Sequence, residues 1–333
     1  MNVVLMMQSL KCYSRLRFYI SALLAGLLIC SAEVQADPDF AVAWQDLKTL
    51  SDDQMAGRAM GSSGSKLAQD FIASRFKALG LQPLAADYRQ AFVHNFALSK
   101  PQTGINLVGV RLGCTYPEHF MVITAHYDHL PVQGRQVFNG ADDNASGVAG
   151  LLYLAKKSGE QCPAYSQIFL ATDGEERGLF GAKAFLATWP KPQQLVINLN
   201  LDMISRGEKS AKLYLAGKKT FPQLDVFAQQ IETQNFAIKL LLAHDHRSLN
   251  RSGRSQHNLI DWPNASDHAV FRKAGIPYLY FGVDTHQHYH TVDDDWQRIN
   301  KPFFQQALTI IALGWRFADA QPLMELQALR RSK

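Results

Sequence analysis

From residue 104 onward the chain repeats one pattern: a short apolar run, a polar turn, then a stretch with helical periodicity. The apolar runs are INLVGVRLG, HFMVITAHYD, SQIFLATDG, QLVINLNLDMIS, KLYLAG, AIKLLLAH and PYLYFG, and the helical stretches fall at 146–158, 179–189, 223–235, 267–275 and 303–318. Strands joined through helices run parallel, and a parallel sheet has to be covered on both faces. The expected architecture is therefore α/β, a mostly parallel mixed β-sheet with helices on both faces. Leu67, Phe71, Ile72, Phe76 and Leu79 predict one further helix upstream, stopped by Gly80. No internal repeat or Pro-rich linker interrupts the pattern, so residues 37–333 read as a single globular domain, and a hydrophobic fraction of 47% supplies its core.

The first 36 residues depart from this pattern. Lys11, Arg15 and Arg17 precede the apolar run FYISALLAGLLIC, and VQA at 34–36 presents small residues at a cleavage point, the layout of a secretory signal peptide. The run is 13 residues long, short of the roughly 20 that a spanning helix needs, so no stable membrane insertion is expected after cleavage. Ile29 stands where a lipoprotein signal would have a small residue before Cys30. The expectation is an exported protein, periplasmic or secreted. Losing Lys11, Arg15, Arg17 and Glu33 takes the net charge from +5 to +3, too mild to draw in nucleic acid or anionic lipid. Cys114 and Cys162 remain, each just before an apolar run. If those strands lie parallel, both thiols fall at one sheet edge, where an oxidising compartment favours a disulfide. Two free thiols are the alternative.

Polar residues concentrate where the apolar runs stop. His126 and Asp128 follow MVITA, Glu175 and Glu176 follow IFLATDG, Asp202 ends VINLNL, and His290 comes shortly after PYLYFG. Open α/β sheets bind ligands at the carboxyl ends of their strands, so these segments converge on one crevice. The loop NGADDNASG leaves the same edge and adds Asp142 and Asp143. Closely set carboxylates raise one another's pKa unless a positive partner intervenes, and Arg177 is the only cation near the glutamate pair in the sequence. A divalent metal would balance that charge, and His with Asp/Glu is a donor set suited to zinc. Two metals bridged by one carboxylate would use the whole set.

In order, AHYDH, NGADDNASGVAGLL, DGEERGLFGAKAF, LNLDM, SDHAVF and YHTVDD resemble the motifs of the M28 family of co-catalytic zinc aminopeptidases. Upstream, MAGRAMGSSGSKLAQDFIASRFKALGL is similar to that family's N-terminal segment, and the resemblance spans about residues 50–315. It implies the zinc aminopeptidase (phosphorylase/hydrolase-like) fold, two Zn²⁺ ions, and removal of one amino acid from peptides with a free N-terminus. By position it implies that His126 and Asp202 hold one zinc, that Glu176 and His290 hold the other, and that Asp143 bridges them, with adjacent Asp142 as competitor. Asp128 is implied to accept from the far nitrogen of His126 and fix its tautomer. Glu175 is implied to act as general base on the bridging water and to return the proton to the leaving amine. Tyr289 is implied to hydrogen-bond the tetrahedral intermediate, unless it is only a packed aromatic at a strand end.

Other residues read more plainly. His286 and His288 crowd His290 and are expected to line the cleft or the surface. Ser266 and Asp267 most simply cap the following helix. His244, His246 and His257 carry no assigned role, and Gly140, Gly147, Gly178 and Gly181 have neither Walker nor dinucleotide spacing. Three other readings remain. One is a glutaminyl cyclase of the same fold with a single zinc; the second is a di-zinc carboxypeptidase or dipeptidase. The third is a binding protein that kept the fold and lost the chemistry, although such a chain would lack a ligand or the base.

Overall fold

The apolar runs pair into a sheet in which the central strands are buried on both faces. The computed structural model describes residues 37–95, 100–207, 211–244 and 260–331. The expected signal peptide, His246 and His257 lie outside the described residues. In chain order the elements are α1 (Pro38–Leu50), α2 (Ser63–Ala78), β1 (Gln82–Pro83), β2 (Arg89–His94), β3 (Gln102–Arg111), β4 (Tyr116–His126), α3 (Gly147–Lys157), β5 (Tyr165–Thr172), α4 (Phe180–Thr188), β6 (Leu195–Leu201), β7 (Lys212–Ala216), α5 (Leu224–Glu232), β8 (Lys239–Leu242), α6 (His268–Lys273), β9 (Tyr278–Gly282), α7 (Lys301–Asp319) and α8 (Leu323–Arg331).

The sheet order is β1-β3-β5-β4-β6-β9-β7-β8, with β2 also pairing β3. Its centre, β5, β4, β6 and β9, is parallel. The flanks turn antiparallel where β3 meets β5 and β7 meets β9. Every residue of β5 and of β6 is buried, as strands covered on both faces require. Alternate residues go to opposite faces. Met121, Ile123, Phe169, Leu199 and Leu201 join Phe76 of α2, Leu151 of α3 and Ile311 of α7, while Val122, Ile168 and Leu170 join Phe185 of α4 and Phe271 of α6. Residues Asp39–Lys333 form one compact unit, and no helix among the described residues is long and apolar enough to cross a membrane.

This topology locates the site. The crossover through α3 carries β4 to its neighbour β5, and the one through α4 carries β5 back past β4 to β6. Strand order therefore reverses at β4, and the loops beyond its carboxyl end part to leave a crevice. The helix expected over 146–158 begins at Gly147, because the preceding residues, Ala141–Ser146, are wound into a wider π-type turn. Asn144 anchors that turn to the end of β6: its Nδ2 donates to Leu201 O (3.0 Å), and its Oδ1 accepts from Gly147 N (2.9 Å) and Met203 N (3.1 Å). A Cβ at Gly147 would stand 2.3 Å from Asn144 Oδ1, so the anchor requires glycine there. At the opposite edge, before β4 and β5, Cys114 and Cys162 form a disulfide with Cα atoms 5.9 Å apart.

Candidate metal centre

His126 ends β4, Glu175 and Glu176 occupy the turn after β5, Asp202 follows β6, and His290 stands on the loop after β9 with its backbone in the left-handed region (φ 57°). His126 Nε2 lies 3.3 Å from Asp143 Oδ1 and 3.3 Å from Asp202 Oδ1. His290 Nε2 lies 3.0 Å from Asp143 Oδ2 and 3.3 Å from Glu176 Oε2. Asp143 thus turns one oxygen to each histidine, the arrangement of a shared ligand. Asp142 faces away: its Oδ1 accepts from Ser205 N (2.8 Å) and Ser205 Oγ (2.6 Å), and its Oδ2 is 3.1 Å from His286 Nε2. Of the three crowded histidines, His286 serves Asp142, His288 lies towards Asp293, and His290 alone faces Asp143.

The donor set fits zinc. Asp143 Oδ2 and His290 Nε2 stand 3.0 Å apart, yet neither has an aligned hydrogen-bond partner. Lone pairs that converge with no proton on the line between them are satisfied by a shared cation. Bonds of about 2.0–2.2 Å to a tetrahedral zinc place its ligand atoms roughly 3.3–3.6 Å apart, near the separations found here. The potential ligands form two groups that share Asp143: His126, Asp143 and Asp202, and His129, Asp143, Glu176 and His290. The electrostatics also call for positive charge. Burial alone would depress the His126 pKa, but Asp202 and Glu175 reverse this and hold it well above the usual value. Burial pushes the Glu175 pKa well up, reinforced by the charges of Asp202, Asp267 and Glu176.

The supports differ from the sequence expectation in two places. His126 Nδ1 is 3.0 Å from the backbone carbonyl of Asp128, whereas the Asp128 carboxylate is 3.7 Å away and instead accepts from Glu175 N at 3.0 Å. The tight turn after β4 folds the carbonyl back onto the ring, so the carbonyl fixes the tautomer and the carboxylate is freed to hold the base's backbone. Ser266 and Asp267 do not cap α6. Asp267 sits at the cap position in helical φ/ψ, which turns its side chain from the free amides. Its Oδ2 accepts from Thr172 instead, while Ser266 Oγ accepts from Asn200 Nδ2 at 3.0 Å.

Tyr289 stacks on His290, with ring centroids 3.8 Å apart, and its hydroxyl pKa is raised by burial and by the carboxylates around it. Two further residues complete the surroundings. Arg58, fully buried, donates to Tyr127 O (2.7 Å), Asn139 O (2.6 Å) and Gly140 O (3.0 Å), clamping the turn after β4 to the loop that carries Asp143. Burial lowers its pKa to about 10, so it remains a cation beside the carboxylates at neutral pH. His129, buried beside Glu176, is the other. Both stand inside segments that resemble family motifs, but neither ends an apolar run, so strand-end position could not single them out.

A mixed α/β sheet with two carboxylate–histidine clusters sharing an aspartate at its switch point defines a candidate two-metal enzyme. The profile of peptidase family M28 matches residues 106–313, well over half of the chain, and the chain belongs to that family. It is 28% identical over 218 residues to aminopeptidase YwaD of Bacillus subtilis (strain 168); the match takes in 62% of this chain but only 43% of YwaD, so the chain spans less than half of that relative. Its fold is similar to that of BSAP, a zinc aminopeptidase from Bacillus subtilis, at a TM-score of 0.65 and 17% identity over 84% of this chain and 94% of that one. It is also similar in fold to Porphyromonas gingivalis glutaminyl cyclase, at a TM-score of 0.62 and 20% identity over 83% of this chain and 98% of that one.

Proposed function

We propose that the protein is an exported di-zinc aminopeptidase that releases one amino acid at a time from peptides with a free N-terminus. The observation that carries the reading is the shared aspartate: Asp143 lies within reach of both histidine clusters, with Glu175 on the adjoining turn. Membership of M28 and the match to a curated aminopeptidase support the reaction class. The disulfide Cys114–Cys162 supports an oxidising compartment, and with it the reading of residues 1–36 as a cleaved signal peptide.

His126, Asp143 and Asp202 would hold one zinc, and Asp143, Glu176 and His290 the other. Bound zinc would supply Lewis acidity, polarising the scissile carbonyl and lowering the pKa of water. Glu175 takes the proton of the attacking water and delivers it to the departing amine. The Asp128 carboxylate holds the Glu175 backbone in place. Tyr289, stacked on His290, would offer a hydroxyl donor to the reacting carbonyl. The test is release of leucine from free and N-acetylated leucyl peptides by chelated protein as zinc is returned. Release from the free peptide alone, recovering with two equivalents, is the expected outcome. Cyclisation of an N-terminal glutamine peptide without cleavage would assign the glutaminyl cyclase reaction instead, and cleavage of the acetylated peptide would point to a carboxypeptidase.

A further inference from the structure

The expected ligand set leaves out one buried histidine at the centre. His129 lies three residues beyond His126 on the turn leaving β4, with its side chain 0% exposed. Its Nδ1 is 2.9 Å from Glu176 Oε1, while His290 Nε2 is 3.3 Å from Glu176 Oε2. Two imidazoles therefore divide the two oxygens of one carboxylate. Alignment tells the roles of those imidazoles apart: His129 Nδ1 meets Glu176 Oε1 in hydrogen-bond geometry, whereas His290 Nε2 has no aligned partner. A charge-assisted N–H···O contact spans about 2.7–2.9 Å. The His129–Glu176 contact, at 2.9 Å, falls in that range, and His129 Nδ1 stands farther, 3.7 Å, from Asp143 Oδ2. A Cβ at Gly140, where φ is +53°, would stand 2.6 Å from His129 Cγ and Cδ2, so the imidazole packs against bare backbone there, and the His290 ring lies 5.6 Å away at 64°. His129 Nε2 is buried without a partner, so the ring's hydrogen bond is the one made by Nδ1.

We infer that His129 is a positioning residue whose Nδ1–H holds Oε1 of Glu176, so that Oε2 alone is presented to the metal site shared with His290. The inference rests on the two-zinc reading. A carboxylate held by one oxygen cannot rotate away from the metal, and loss of such an outer partner typically weakens metal affinity about 10–100-fold. A ligand role and a merely structural role give different results in a zinc titration against a chromophoric chelator, which needs no peptide. His129→Leu should weaken one of the two stepwise affinities about 10–100-fold and leave the other within about threefold. His129→Asn, whose amide nitrogen sits near the lost Nδ1, should restore most of that loss. Thermal unfolding of the metal-free variants checks that each is folded.

A measurement on the native protein is independent of variant folding. The ¹⁵N–¹H spectrum of the zinc-loaded protein should show a protonated His129 Nδ1. An unprotonated, metal-bound Nδ1, or an asparagine variant as weak as the leucine one, would make His129 a direct ligand and overturn the inference. Unchanged affinities in His129→Leu, or equal losses at both steps, would also overturn it. If the native protein binds only one zinc, the two-zinc reading fails and takes the inference with it. If two bind with the expected difference but no peptide is cleaved, only the aminopeptidase reading falls.

Discussion

Glu175 and Glu176 are neighbours in the chain that the turn after β5 sends to different partners. Glu176 meets His129 and His290, while the backbone of Glu175 is held by Asp128. If Glu175 moves the proton, Glu175→Gln should lower kcat by about 10²–10⁴-fold while zinc stoichiometry stays at the native value. Loss of zinc in that variant would instead make Glu175 a ligand. Tyr289→Phe should lower kcat about a hundredfold with little change in zinc binding, as removal of an oxyanion donor does; an unchanged kcat would leave Tyr289 with packing alone. At this scale His126, Glu176, Asp202 and His290 could be singled out as candidates because each closes or shortly follows an apolar run, whereas Asp143 stands on the long loop after β4. Partner atoms could not. Which acceptor His126 Nδ1 finds, the Asp128 carbonyl or its carboxylate, depends on a turn of two residues and a rotamer that no spacing encodes.

Among the elements, α6 and β9 meet through an aromatic stack in which His268 is fully buried. Its ring lies 4.3 Å from that of Tyr280 and 4.8 Å from that of Tyr278. Its Nε2 is 2.7 Å from Trp262 O and its Nδ1 has no partner, so a second proton would be buried unpaired. Burial accordingly lowers its pKa to about 3. The unfolded chain, with an ordinary value near 6.5, then binds the proton more readily. The stability His268 contributes is complete above pH 6.5 and is lost as pH falls towards 3, about 2–3 kcal/mol of it by pH 4.5. Chemical denaturation of metal-free protein at pH 7.5 and 4.5 measures this. His268→Phe should be less stable at pH 7.5, having lost the bond to Trp262, and should lose less on acidification. An equal acid loss in the variant would place the sensitivity elsewhere. The sequence pattern gave no sign that α6 would present Ser266 and Asp267 to the sheet interior, because SD before a helix ordinarily marks a cap.

Across the whole molecule, the two edges of the sheet are separate devices. The carboxyl edge gathers the candidate ligands, and the amino edge carries Cys114–Cys162, which closes a 48-residue separation over the β4–α3–β5 crossover. A loop of that length is worth about 2–4 kcal/mol when cross-linked. The double variant Cys114→Ser/Cys162→Ser should therefore lose about that much stability while both zinc affinities hold. A fall in zinc affinity would mean that strain passes from one edge of the sheet to the other.

Hydrophobic periodicity by itself determined the alternation of strands and helices, the covered parallel centre and the edge at which polar residues collect, because burial acts on every residue of a run. Only the tertiary structure decided what depends on atoms from distant loops. It turned Asp143 rather than Asp142 to the histidines, brought Arg58 under both loops and set His129 against Glu176. It also added the antiparallel flanks at β3 and β7. The physical reason is range: apolar patterning is summed locally along the chain, whereas a hydrogen bond or ligand contact requires two groups aligned to within a few tenths of an ångström after the chain has folded.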